Sequence, residues 1–174
     1  LETTPLTWEG AYDAVDEIWC ASEFVAAAVR QATDKPVIKL SPPIEVSLQR
    51  RYTRREFGLP DGRFLFLFTF DYNSFVKRKN PEGVIEAFRA AFPRGRDDVG
   101  LVVKSVNGVH RPERVAAIKA LYGDDPRIVH VDRFLSRDES YGLIDATDAY
   151  VSLHRAEGLG LGLAEAMALG KPAI

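Results

Sequence analysis

Residues 64–92, FLFLFTFDYNSFVKRKNPEGVIEAFRAAF, join a strand to a helix and set the fold class of the chain. Phe64 to Phe70 is apolar apart from Thr69 and lacks the alternation of a half-exposed strand. Such a run suits the centre of a parallel sheet covered on both faces. Asn80-Pro81 then predicts a helix start, with Asn80 as the cap and proline at the first position, where its missing N–H would be unpaired anyway. Val84, Ile85, Phe88 and Phe92 fall on one face of that helix.

The same grammar repeats downstream. Strands are expected at Val99–Lys104, Arg127–Val131 and Ala149–Leu153. Helices are expected from Pro112 to about Gly123, from Ser136 to about Ala146, and over Ala164–Leu169, stopped by Gly170 and Pro172. Ser136 and Glu139 have the spacing of a capping box. Upstream, LQRRYTRREF (48–57) reads as a charged helix closed by Gly58 in a left-handed cap. Ser41-Pro42-Pro43 cannot continue a ladder and reads as a linker. Before it lie a strand at 17–21, a helix from the cap Ser22 through Ala32, and a short strand at 37–40. The expectation is an α/β doubly wound parallel sheet over residues 44–174, with residues 1–43 the tail of a preceding α/β domain. The chain opens on Leu1 and stops within the apolar stretch Lys171–Ile174, so truncation at both ends is expected.

Composition excludes several classes. The 46% hydrophobic and 28% charged residues are those of a globular protein and not of a disordered one. A net charge of −2 gives no basic footprint for nucleic acid. A single cysteine, Cys20, permits neither an internal disulfide nor a zinc cage of cysteines, which favours the reducing cytoplasm. No apolar run reaches the ~20 residues of a membrane span, and no signal peptide is evident. Trp8 and Trp19 are expected to serve packing.

The chemistry is expected in residues 153–174, LHRAEGLGLGLAEAMALGKPAI. A strand end runs through Gly158, Gly160 and Gly162 into a helix, and helix N-termini present unpaired N–H groups that attract phosphate. The glycine spacing is not G-x-G-x-x-G, and no acidic residue can follow ~20 positions on as a dinucleotide site needs. Gly170-Lys171 is followed by proline and ends a helix, so it is no Walker loop. Alone, a glutamate on a helix or a basic turn such as Lys77-Arg78-Lys79 is ordinarily just solvated.

Glu157 and Glu165, with seven residues between them and followed by A-M-A-L-G-K-P, resemble the E-x7-E signature of the group 1 retaining glycosyltransferases of GT-B fold. That family commonly spells the segment E-G-F-G-L-x-x-x-E-A-M-A-x-G-x-P. Phe70-Asp71 through Asn80-Pro81, with Glu86-Ala87-Phe88, resembles its phosphate-contacting loop and following helix. Val15–Trp19 with Ser22-Glu23-Phe24 resembles the last strand and helix of its acceptor domain.

The resemblance implies a Rossmann-like donor-binding half that takes a nucleotide diphosphate sugar and passes its sugar to an acceptor hydroxyl with retention. It implies that Glu165 accepts from both ribose hydroxyls and that Glu157 faces the donor sugar. The N–H groups of Gly158, Leu159, Gly160 and Leu161 would meet sugar and phosphates, and Lys79 would neutralise the leaving diphosphate. No cofactor and no metal are implied: a lysine and a helix end carry the charge, and His110, His130 and His154 are not spaced as a ligand cluster. His154 reads as a loop-end histidine. Base contacts are expected through backbone near Arg133-Phe134-Leu135.

Where the family often has Gly-Arg, this chain reads Phe70-Asp71-Tyr72-Asn73, so Arg78 is the expected second cation, with Lys77 and Lys104 behind it. Leu159 replaces the commoner phenylalanine. The implied partners are a nucleotide-sugar donor and a glycan, lipid-linked or small-molecule acceptor, with peripheral membrane association through parts outside this chain and no nucleic acid. Two rivals stand beside this reading: a phosphorylase or synthase of the same fold using another phosphate ligand, and a non-catalytic nucleotide-binding module.

Overall fold

A computed structural model describes residues 3–174. The chain forms two compact units that divide between Pro43 and Ile44. In the first, β1 (Ile18–Cys20) and β2 (Val37–Lys39) pair in parallel, with α1 (Glu23–Arg30) between them. Ser22 caps α1 as its sequence suggests, its hydroxyl accepting from the Val25 amide at 3.3 Å. Tyr12, Cys20, Ala26 and Val29 form the small core. Trp8 and Trp19 are not buried there; they are 50% and 63% exposed, and the Trp19 indole donates to Glu17 instead.

The second unit carries β3 (Phe64–Asp71), α2 (Val76–Lys79), α3 (Pro81–Ala91), β4 (Val99–Val106), α4 (Pro112–Tyr122), β5 (Ile128–Asp132), α5 (Arg137–Ala146), β6 (Ala149–Tyr150) and α6 (Leu161–Ala168). Its sheet is wholly parallel in the order β5-β4-β3-β6, with β3 inside as its apolar sequence requires. Strand alternation sorts the core into two layers. Leu65, Leu67 and Val102 face Leu143, Ile144 and Ala166 of α5 and α6. Phe68, Phe70, Leu101 and Val103 face Val84, Ile85, Phe88 and Ile118 of α3 and α4. Strand order runs outward from β3 to β5 and then reverses to β6, which makes a topological switch point beside β3.

Local signals hold in several places. The capping box forms at Ser136 and Glu139, and Gly58 and Gly170 adopt the left-handed conformation at φ 70° and 75°. Three expectations need correction. Residues 48–57 are not a helix; only Arg54–Phe57 make a 3-10 turn. The segment is pinned to distant partners: Asp138 accepts from the Gln49 amide at 2.8 Å and the Tyr52 hydroxyl at 2.7 Å, and Arg54 donates to Ala146, Arg63 and Asp148. Asn80 does not cap α3 with its side chain. It takes a left-handed φ of 57°, breaking α2 from α3, and its side-chain Nδ2 donates to the Leu153 carbonyl at 3.0 Å. The strand expected at 149–153 pairs with β3 only over Ala149–Tyr150.

Candidate functional site

After Val151, whose N–H still donates to the Leu67 carbonyl of β3, the chain loops into α6, whose first residue follows Gly160 at φ 71°. Gly162 sits in the first turn. A Cβ there would lie 2.5 Å from the Tyr150 hydroxyl, which is itself hydrogen-bonded to Thr69 Oγ1 at 2.5 Å. Tyr150 is buried and cannot yield, so glycine is what lets the helix start rest on this hydroxyl pair. Gly162→Ala is expected to destabilise the protein by ~1–3 kcal/mol through overpacking, read from urea unfolding. An unchanged midpoint would show that the helix shifts freely.

The basic turn α2 is fastened to this loop from across the sequence. The Arg155 amide donates to the Arg78 carbonyl at 2.8 Å, and the Arg155 guanidinium donates to the Lys77 carbonyl at 2.9 Å. Arg78 Nη1 donates to the Ala156 carbonyl at 2.6 Å. Lys79 Nζ donates to Glu157 Oε1 at 2.5 Å, with Arg78 Nη1 at 3.4 Å and His154 Nε2 at 3.6 Å from the same oxygen.

These neighbours set the charge states. Burial works to raise the Glu157 carboxyl, but the Lys79 hydrogen bond, helped by His154 and Arg78, holds it below its ordinary range. His154 is pushed down by burial, against the pull of Glu157, so a neutral imidazole faces the carboxylate at neutral pH. Its Nδ1 pairs with Ser152 Oγ at 2.8 Å. Glu165, in α6, is raised by burial despite the Tyr141 hydroxyl, which donates to it at 3.4 Å, and the nearby Arg137.

A cleft of about 450 Å³ opens beyond the carboxyl ends of β3 and β4, at the switch point. Lys79, Glu157, Leu159, Gly160, Leu161 and Glu165 line it; Arg78 and Gly158 do not. Its floor includes Leu67, Thr69 and Tyr150. Lys104, from β4, joins the lining, and Tyr141 stands behind Glu165. No sequence signal points to Tyr141, whose place depends on the packing of α5 against α6.

Residues 49–174 match the family described as "Glycosyl transferases group 1". Among solved structures, the chain is similar to a sucrose-phosphate synthase from Thermosynechococcus elongatus at 20% identity and TM-score 0.72, covering 97% of this chain and 43% of that one. It is similar to an E. coli trehalose-6-phosphate structure bound with UDP-2-fluoro glucose at 12% identity and TM-score 0.65, covering 97% and 47%. HepE from Anabaena, in complex with UDP and glucose, matches at 14% identity and TM-score 0.62, covering 98% and 48%. At these identities the likeness is one of fold, and the chain spans less than half the length of each of these proteins. No curated protein sequence matches it significantly.

Proposed function

The chain belongs to the group 1 glycosyl transferases, and from that premise we propose that its second unit binds a nucleotide diphosphate sugar and serves transfer of that sugar to an acceptor hydroxyl with retention. The observation that carries the reading is the Lys79–Glu157 pair in a cleft that also receives Glu165 and the start of α6. The solved neighbours with UDP or a UDP-sugar bound support a nucleotide-sugar donor.

In this reading Glu165 takes the ribose. Its desolvated carboxylate has two oxygens suited to a cis-diol, and hydroxyl donors would replace the water it has lost. Glu157 faces the transferred sugar, where its charge opposes the cation that grows at the anomeric carbon. Lys79 and the backbone N–H groups of Leu159, Gly160 and Leu161 bind the diphosphate, whose charge grows as the glycosidic bond breaks. The acceptor oxygen bonds to the anomeric carbon on the face the diphosphate leaves, and the leaving phosphate oxygen takes the acceptor proton. Arg78 acts from outside the cleft, holding the loop and Glu157. Residues 1–43 are the proposed end of the acceptor-binding half, the reaction needs no metal, and the setting is cytoplasmic. Among the described residues, no helix is long and apolar enough to cross a membrane.

Lys79→Ala tests the reading. It is expected to weaken nucleotide diphosphate binding by ~1.5–3 kcal/mol, as for a hydrogen bond to a charged group, and to leave nucleoside binding nearly unchanged by calorimetry. Equal losses for both ligands would place Lys79 away from the phosphates.

A further inference from the structure

The cleft holds a second ammonium that the donor reading leaves without a role. Lys104 lies near the end of β4, in register with Thr69 of β3 and Val131 of β5. It alternates onto the same face as Val102, the face covered by α5 and α6, and only 9% of it is exposed. There it lines the cleft with Leu135, Ser140 and Glu165. Its Nζ donates to the Ser105 carbonyl at 2.6 Å, and among the described residues it forms no ion pair. A buried ammonium with unused donors and no carboxylate in ion-pair contact is costly unless an anion completes the site.

The charges of the cleft say which kind of anion. Glu157 is shared by Lys79 and Arg78, and Glu165 adds a further carboxylate, so without Lys104 these groups sum to zero and offer a diphosphate little net attraction. Arg78, the cation expected from sequence to be the second, has its guanidinium on the Ala156 carbonyl and lies outside the lining. We propose that Lys104 is the second cation of the nucleotide site, binding a phosphate of the nucleotide diphosphate from the β4 side while Lys79 binds from the α2 side. This rests on the donor-binding reading above.

Burial pushes Lys104 down to about 8, against the attraction of Asp132 and Asp71 and with the repulsion of Arg133. Its other titratable surroundings are His130 on β5 and, around the cleft, Lys79, His154, Glu157, Tyr150 and Glu165. Burial lowers both histidines, so they are neutral above pH 7, and Tyr150, raised by burial to about 12, stays protonated. A bound phosphate favours the charged ammonium. Diphosphate affinity is therefore full below pH 8 and falls as Lys104 deprotonates above it.

The experiment titrates the protein with UDP, GDP and ADP, takes the diphosphate that binds tightest, and repeats with Lys104→Met and with the matching nucleoside. Methionine suits the buried position. The expected result is a loss of about ten- to a hundredfold for the diphosphate, little change for the nucleoside, and a wild-type decline from pH 7 to 9 that is absent in the variant. If the wild type binds none of the three, the donor reading falls and this inference with it. If Lys104→Met binds the diphosphate as wild type does, or loses nucleoside and diphosphate alike, Lys104 is not a phosphate ligand and the donor reading survives. Should the variant fail to fold by circular dichroism, the wild-type pH profile decides, and a flat profile from pH 7 to 9 overturns the assignment.

Discussion

Glu157→Gln is expected to slow sugar transfer by about 10²–10³-fold, while binding of the free nucleotide diphosphate stays nearly intact. In the proposed function the charge of Glu157 matters most when the anomeric centre becomes cationic, so its loss would fall on the transition state rather than on ground-state binding. Neutralising it also releases Lys79 from its 2.5 Å partner, which leaves that ammonium no worse a ligand for phosphate. Glu165→Gln should behave in the opposite way, losing ~1–3 kcal/mol for every nucleotide ligand, with or without a sugar, because one acceptor oxygen for the ribose is gone. The pH dependence follows. Burial raises the Glu165 carboxyl, so in the proposed function nucleotide affinity is expected where Glu165 is ionised and is expected to fall as pH drops through that raised value. Glu157, held low by Lys79 against the effect of burial, remains ionised there. Calorimetry on both variants, with turnover measured in a form of the protein that transfers sugar, checks this. Equal loss of diphosphate affinity in both would refute the division of labour.

Arg127→Ala is expected to destabilise the fold by ~3–5 kcal/mol, the cost of breaking a buried ion pair from one side. Arg127 and Asp125 have side chains 2% exposed each and meet in a fork, Nη2 to Oδ2 at 2.8 Å and Nε to Oδ1 at 2.9 Å. The remaining nitrogen donates to the Phe92 and Pro93 carbonyls, tying the end of α3 to the start of β5. Alanine strands a carboxylate and two carbonyls together. The Arg127 hydrogen bonds, against the opposing effect of burial, hold Asp125 down to about 2, so its contribution is present above the ordinary value of 3.8 and is lost as pH falls toward 2. Urea unfolding at neutral pH should show the full loss, and a change under ~1 kcal/mol would mean that water reaches the pair.

The elements that could be read directly from sequence are those settled by nearest neighbours. The apolar run of β3, the Ser136–Glu139 box, the Pro81 and Pro112 helix starts and the glycine stops each carry their cause within a few residues. Residues 48–57 failed because Tyr52 and Arg54 answer to Asp138, Ala146 and Asp148 on another part of the chain, and helical propensity loses to those partners. Asp125 is buried against Arg127, a pairing that the residues around either one do not announce. In the site, Glu157, Glu165 and Lys79 could be nominated because they stand in a motif. Lys104 gave a weaker signal, since a lysine at a strand end shows neither its burial nor the face it takes until its neighbours in the sheet are known.

The bond between Lys79 and Glu157 spans 78 positions of chain, which sets a timetable. At the usual pace of synthesis, ~5–20 residues per second, the lysine leaves the ribosome roughly four to sixteen seconds before the glutamate exists. For most of that interval the basic turn lacks its partners at 153–157, and β3 lacks its neighbour β6. Strands β3, β4 and β5 are therefore synthesised before the segment that carries β6 and the partners of the basic turn.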